Sequence, residues 1–192
     1  MINEKELFFE TIKCDEDEIF HLDYHKQRVS RTIGKNIDLN EYIYPPSIEL
    51  LRCKVIYNQN DIVDIEYHPY KQRDIKSFKI VYDEEIDYKY KAVNRENIDK
   101  LFNQKDKADD IIIFQNGYIT DTSIANIAIY LDGVWTTPKN PLLNGTTKQR
   151  LLDDGFLKEA NITLEQLLKA EQFAIMNAMI DFNIIKDFKI YQ

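Results

Sequence analysis

Two dipeptides constrain this chain more than anything else in it: Asn116-Gly117, between Ile111–Phe114 and Ile119-Thr120, and Asp132-Gly133, between Ile127–Leu131 and Val134–Thr137. A two-residue loop of this composition takes positive φ at both positions, and its twist matches that of antiparallel strands. Each dipeptide, flanked by apolar β-rich runs, therefore predicts a hairpin, and together they predict a compact meander. The segment joining the two hairpins, Asp121-Thr122-Ser123-Ile124-Ala125-Asn126, is polar. Loops held by rigid sheets are where functional groups concentrate.

Further β-rich runs surround this centre. Glu6–Ile12 leads into the acidic turn Asp15–Glu18 and a return strand Ile19–Leu22, and Leu51–Tyr57, Ile62–Tyr67 and Ser77–Tyr82 follow as short strands of a first lobe with an antiparallel sheet. Asp23 stands where an N-cap would, ahead of a helix over Tyr24–Ile33 that stops at Gly34. Arg95–Ala108 reads as an amphipathic helix with Ile98, Leu101 and Phe102 on one side, and a Thr-capped helix of about two turns follows Leu143-Asn144-Gly145. Thr163–Lys169 reads as a short helix, Phe173–Ile180 as a strand interrupted by Asn177, and Ile184–Tyr191 as the last strand. The fold class is α+β, with a boundary between Tyr82 and Arg95 that divides the chain into residues 1–86 and 87–192.

Charge and composition remove several classes of function. A net charge of −8 over 192 residues argues against a general phosphate-backbone binder, so no nucleic acid partner is expected. No apolar run reaches the ~18 residues of a membrane span, and the first twenty residues lack the basic start and apolar run of a leader, which makes the N-terminus part of the mature fold. Cys14 and Cys53 show no metal or redox spacing, and the reading is a reduced, cytoplasmic protein. His21, His25 and His68 lack the spacing of a ligand set; they read as surface histidines, with no metal.

Three features carry chemistry. Gly145-Thr146-Thr147 at a helix start offers unpaired N–H groups and hydroxyls to a phosphate or carboxylate, although the same residues also make an ordinary cap. Asn177 in an apolar strand needs a partner, either backbone or ligand, because leaving its amide buried and unpaired costs ~1–3 kcal/mol. Lys91, among Tyr88, Tyr90 and Val93, is either a solvated lysine or one whose pKa partial burial lowers toward the nucleophile range.

The order of features is more specific than any one of them. Phe9-Glu10-Thr11, then His25-Lys26-Gln27-Arg28, Lys91-Ala92-Val93-Asn94-Arg95, Thr120–Ile127, Thr137-Pro138, Leu142–Thr147 and Asn177-Ala178 together resemble the class IV aminotransferases, the fold-type IV pyridoxal-phosphate enzymes. That family includes branched-chain and D-amino-acid aminotransferases and 4-amino-4-deoxychorismate lyase. The resemblance runs from about Phe8 to about Asn183. It implies two lobes with mostly antiparallel sheets, pyridoxal 5'-phosphate between them, and a homodimer acting on a small amino substrate.

By the same resemblance Lys91 is the lysine that holds the cofactor and then moves the substrate's α-proton, with Lys89 its nearest rival. Asp121 stands where the family carries Glu, opposite the cofactor's ring nitrogen, and its side chain is one methylene shorter. Arg28, Asn126, Gly145, Thr146, Thr147, Asn177 and Ala178 match the remaining cofactor-binding positions. Lys148 replaces a common Arg, and Tyr24, Tyr88, Tyr90 and Phe9 are pocket-lining candidates. The family also begins with an extra strand and a Gly-containing segment ahead of the position of Phe8, where this chain has only a few residues. The resemblance leans to the lyase, which releases pyruvate and p-aminobenzoate. An amino-acid aminotransferase and a degenerate cofactor-binding protein without turnover are the alternatives.

Overall fold

The computed structural model describes residues 6–192. The leader reading of the first twenty residues begins on Met1–Lys5, which lie outside the described residues. The chain forms two compact units, one of Met1–Gln72 with Tyr90–Asn94 and the other of Arg73–Lys89 with Arg95–Gln192.

The first unit is built on an antiparallel sheet with strand order β2-β1-β3-β4, from β1 (Phe8–Asp15), β2 (Glu18–Ile19), β3 (Leu51–Tyr57) and β4 (Ile62–Pro69). Burial alternates along β1, where Phe8, Glu10, Ile12 and Cys14 point inward. That period of two is the expected signature of a half-covered strand, except that one inward residue is an acid. Helix α1 (Leu22–Ile33) covers this face with Val29 and Ile33 and ends at Gly34, whose φ of 72° supplies the left-handed stop. Asp23 is not its cap: the helix starts two residues earlier than expected, His21 is the N-cap at φ 53° without a side-chain bond, and Asp23 lies in the first turn. The segment Tyr90–Asn94 returns beside β1, with Phe9 N–H donating to Lys91 O (2.9 Å) and Val93 N–H to Leu7 O (2.8 Å).

The second unit has two sheets that share a core of Phe78, Ile112, Phe114, Ile127, Phe173 and Ile175. One is four-stranded, β13-β5-β6-β7, from β5 (Ser77–Tyr82), β6 (Asp110–Gln115), β7 (Tyr118–Ile119) and β13 (Lys189–Tyr191). The other is five-stranded, β10-β9-β8-β11-β12, from β8 (Asn126–Leu131), β9 (Val134–Pro138), β10 (Lys158–Ala160), β11 (Gln172–Asn177) and β12 (Asp181–Ile185). Both hairpins form with positive φ at both turn residues, 53° and 79° for Asn116-Gly117 and again for Asp132-Gly133. They do not make one meander, because β6-β7 belongs to the first sheet and β8-β9 to the second. Asp121–Ala125 is thus the crossing between two sheets.

Other differences share that origin in long-range pairing. Ser77–Tyr82 belongs to the second unit, where it pairs in parallel with β6 and β13. The single last strand is two: Ile185 pairs with Phe173 and Ile190 with Phe78, with Asp187 at φ 53° turning the chain between sheets. Helix α2 (Glu96–Phe102) ends earlier than the apolar spacing predicts, and Asn103–Ala108 form turns with Asp106 at φ 50°. Helix α3 (Thr146–Asp153) has Gly145 as its N-cap, so Thr146 is its first helical residue rather than its cap. Helix α4 (Leu164–Lys169) opens on a Thr163/Gln166 capping box.

Candidate functional site

In the first unit the chemistry is organised by Glu10. His25 and Arg28 lie three residues apart on α1, so both reach the same face, toward β1. Glu10 Oε1 accepts from Arg28 Nε (2.8 Å), and Oε2 accepts from Arg28 Nη2 and from His25 Nδ1 (2.6 Å). Burial, the largest single influence, would raise the Glu10 pKa, but the Arg28 charge and the hydrogen bonds from His25 and Arg28 together overcome it and hold the carboxyl at about 2. Burial lowers the His25 pKa, which makes the imidazole neutral with its proton on Nδ1 toward Glu10; Nε2 is buried with no hydrogen-bond partner. His25 is therefore not a surface histidine. It is fully buried on the inward face of α1.

Lys91 is half-buried, its carbonyl fixed by Phe9 N–H and its ammonium 4.5 Å from the centroid of the Phe9 ring. Its charge also depresses the His25 pKa, which places Lys91 within electrostatic reach of the Glu10 cluster. Consecutive residues of β1 thus support the two cations: Phe9 lies against Lys91 and Glu10 against Arg28. Lys89 is exposed and belongs to the other unit. Tyr90 packs edge-on to Phe8 with centroids 6.0 Å apart, whereas Tyr88 is buried in the second unit beside Arg95.

In the second unit the crossing between sheets presents Asp121. Asp121 Oδ1 accepts from Asn126 Nδ2 (2.7 Å) and Oδ2 from Leu143 N–H (2.9 Å), while Asn126 Nδ2 also donates to Leu143 O (2.8 Å). Thr122 closes the loop inside, its Oγ1 accepting from Ala125 N–H (3.0 Å). Gly145 lies against Asn126 so closely that a Cβ would be 2.0 Å from Asn126 Oδ1, which explains glycine at a position whose φ of −69° does not require it. Asp121, Asn126 and Gly145 form one locked cluster, followed by Thr146 and Thr147, both buried in the first turn of α3. Lys148 is buried as well, its Nζ donating to Glu159 (2.6 Å).

Asn177 finds backbone partners. Its Nδ2 donates to Ile124 O (3.3 Å), and its Oδ1 accepts from Met179 and Ile180 N–H (2.9 and 3.2 Å). It ends β11 and ties the following turn, which contains Ala178, to the Asp121 loop. Arg95 grips the same loop, Nη2 donating to Ser123 O (2.8 Å).

The structure thus brings Arg28 and Lys91 together on the first unit, and Asp121, Asn126, Gly145–Thr147 and Asn177-Ala178 together on the second. Glu10 and His25 stand within the ordered motifs but carry no assigned role in the sequence reading. Their signal is an acid at an inward position of a strand that alternates apolar and polar, and a histidine three residues before an arginine.

Burial pushes the Asp121 pKa up to about 6, against hydrogen bonds from Leu143 and Asn126 and the nearby charge of Lys148. The sign of its effect on stability follows. Between about pH 4 and pH 6 the folded protein holds a proton that the unfolded chain has released, so the contribution present at low pH is lost as pH rises through about 6. The loss is on the order of 3 kcal/mol. In ligand-free protein Asp121→Asn is expected to remove that component, so urea melts at pH 4.5 and pH 7 should differ less in the variant than in wild type. An unchanged difference would mean that Asp121 does not titrate in this window. Glu10 titrates below it with the opposite sign.

Among the described residues no group of three or more His, Cys, Asp and Glu is placed to hold a metal ion, and no helix is long and apolar enough to cross a membrane. The sequence profile of the amino-transferase class IV family matches residues 59–187. An uncharacterised protein of Haemophilus influenzae is 31% identical over 182 residues, which cover 89% of this chain and 96% of that one. The crystal structure of a candidate 4-amino-4-deoxychorismate lyase from Haemophilus somnus superposes with a TM-score of 0.78 at 30% identity, over 91% of this chain and 97% of that one. A hypothetical aminotransferase from Mycobacterium tuberculosis in its PLP-bound form has a TM-score of 0.81 at 15% identity, over 96% and 81% of the two chains, and shares the fold.

Proposed function

Because this chain belongs to the class IV aminotransferase family, we propose that it is a pyridoxal 5'-phosphate-dependent enzyme that splits 4-amino-4-deoxychorismate into p-aminobenzoate and pyruvate. The observation that carries the cofactor reading is the locked, buried Asp121 carboxyl, which rests on two N–H donors from neutral groups and is pushed up to about 6 by burial. A protonated ring nitrogen suits such a group, since a further cation beside it, added to the charge of Lys148 that already acts on it, would restore the carboxylate. The residues therefore fit the cofactor. Asp in place of the family's Glu is accommodated by the Asn126 and Leu143 bonds, which fix the shorter side chain. The lyase reading is supported by the name of the Haemophilus somnus relative, aligned along nearly the whole chain.

In this reading the family's phosphate-binding positions fall on Arg28 in the first unit and, in the second, on the first-turn N–H groups of Thr146 and Thr147 and the turn at Asn177-Ala178. Gly145 and Asn126 hold the start of α3 against Asp121. When bound, the cofactor supplies an electron sink for the carbanion left by proton removal. Lys91 Nζ first anchors the cofactor. Released as the free amine, it takes the proton from the substrate carbon that bears the amino group. The bond between the ring carbon and the enolpyruvyl oxygen then breaks, the released enolate takes up a proton, equivalent to the one Lys91 removed, to become pyruvate, and the ring is left aromatic. Phe9, against the Lys91 ammonium, keeps the side chain in place between these two tasks.

The test is product analysis. Protein incubated with pyridoxal phosphate and 4-amino-4-deoxychorismate is expected to release p-aminobenzoate and pyruvate in equal amounts. Keto-acid release from a panel of amino acids, with lasting conversion of the cofactor to its pyridoxamine form and no p-aminobenzoate, would assign transamination instead. The reading includes a homodimer, expected in light scattering at about twice the 22.8 kDa of one chain; a monomer mass for the active protein would refute that part.

A further inference from the structure

A buried glutamate beside a phosphate-binding arginine is a liability unless it does something for the site. Glu10 is ionised and its charge opposes an incoming phosphate, so its benefit to anion binding, if it has one, is geometric. The geometry is specific. Glu10 takes Nε and Nη2 of Arg28, one whole edge of the guanidinium, while His25 Nδ1–H fixes the carboxylate from a second direction. Arginine is rich in rotamers, and fixing such a side chain before the ligand arrives removes an ordering cost from binding. The fork-to-fork contact also sets the plane of the guanidinium, and with it the direction of the donors that Glu10 does not use. Because β1 holds the Lys91 backbone through Phe9, the same strand sets the positions of both cations.

We propose that Glu10 is a positioning residue of the cofactor site: it presets the Arg28 guanidinium for the cofactor phosphate, with His25 holding the carboxylate in place. This rests on the pyridoxal phosphate reading above. The rival role, a counter-ion that merely neutralises Arg28, has the opposite signature, because removing a mere counter-ion would leave Arg28 more attractive to a phosphate.

The test compares the affinities of wild type, Glu10→Gln, Glu10→Asp and Arg28→Lys for pyridoxal phosphate and for pyridoxal, which lacks the phosphate, with far-UV circular dichroism to establish folding. In folded Glu10→Gln the preference for pyridoxal phosphate over pyridoxal is expected to fall by about tenfold, or ~1.4 kcal/mol, with pyridoxal affinity unchanged. Glu10→Asp keeps the charge but shortens the reach, and should lose preference in the same direction. It carries the test by the same criterion if Glu10→Gln does not fold. Adding Glu10→Gln to Arg28→Lys should bring little further loss, because Glu10 acts through Arg28.

An unchanged or increased preference in the folded Glu10 variants would overturn the positioning role. If Arg28→Lys lost the preference while they kept it, the phosphate contact of Arg28 would stand without Glu10. A wild type that does not distinguish the two ligands would overturn the phosphate reading itself.

Discussion

Replacing Lys91 with alanine is expected to lower turnover by at least about a thousandfold, since it removes both the anchoring amine and the base that moves the proton. The fold should survive. Lys91 is only half-buried, its structural bond runs through its carbonyl to Phe9 N–H, and alanine keeps that bond. Initial rates of p-aminobenzoate formation, with circular dichroism of the same preparation, check both halves. Lys89→Ala is the control: an exposed side chain on the other unit should change the rate by less than about twofold. Full activity in Lys91→Ala would move the catalytic assignment to another lysine.

Gly145→Ala should be the most disruptive small substitution in the second unit. The added methyl would lie 2.0 Å from Asn126 Oδ1, well inside van der Waals contact, and Asn126 cannot swing away without releasing its bonds to Asp121 and Leu143. Overpacking of this kind costs about 1–3 kcal/mol. Displacing the partner of a buried carboxyl adds to it, so a lower melting temperature and weaker cofactor binding are expected together. Asn126→Ala opens the space, so the cost of Gly145→Ala should shrink sharply in that background, a coupling that a double-mutant cycle measures. Equal costs in the two backgrounds would show that the contact with Asn126 is not what selects glycine.

The elements that could be read from sequence were those whose cause is local. Asn116-Gly117 and Asp132-Gly133 form their turns, and Gly34 stops α1, because positive φ is a property of the few residues concerned. Sheet membership could not be read that way. Ser77–Tyr82 has the pattern of any short strand, and its parallel partners, β6 and β13, are set by contacts far along the chain. The same holds for Ile184–Tyr191, where one stretch of apparent strand straddles two sheets. Asp23 has the chemistry of a cap, but the acidic hairpin ahead of α1 delivers the chain at His21 in a left-handed conformation, and the helix begins there.

The site divides along the same line. Lys91, Arg28, Asp121 and the Gly145–Thr147 stretch are conspicuous by type and order. Glu10 and His25 are not, since an acid in a strand and a histidine in a helix ordinarily face water. Only the packing of α1 on β1 shows that each is the other's buried partner. For Asn177 the chemistry required a partner without naming one. The partner is backbone, on both sides of its amide.

The central claim is that Lys91 holds pyridoxal phosphate, and covalent trapping tests it most directly. Purified protein is mixed with pyridoxal phosphate, its visible absorbance recorded, borohydride added, and the digest mapped by mass. The expected result is a visible band that borohydride abolishes, with the phosphopyridoxyl mass on the peptide spanning Lys91 and tryptic cleavage lost at that residue. A label confined to Lys89 or other exposed lysines, or no band and no label at all, would contradict it.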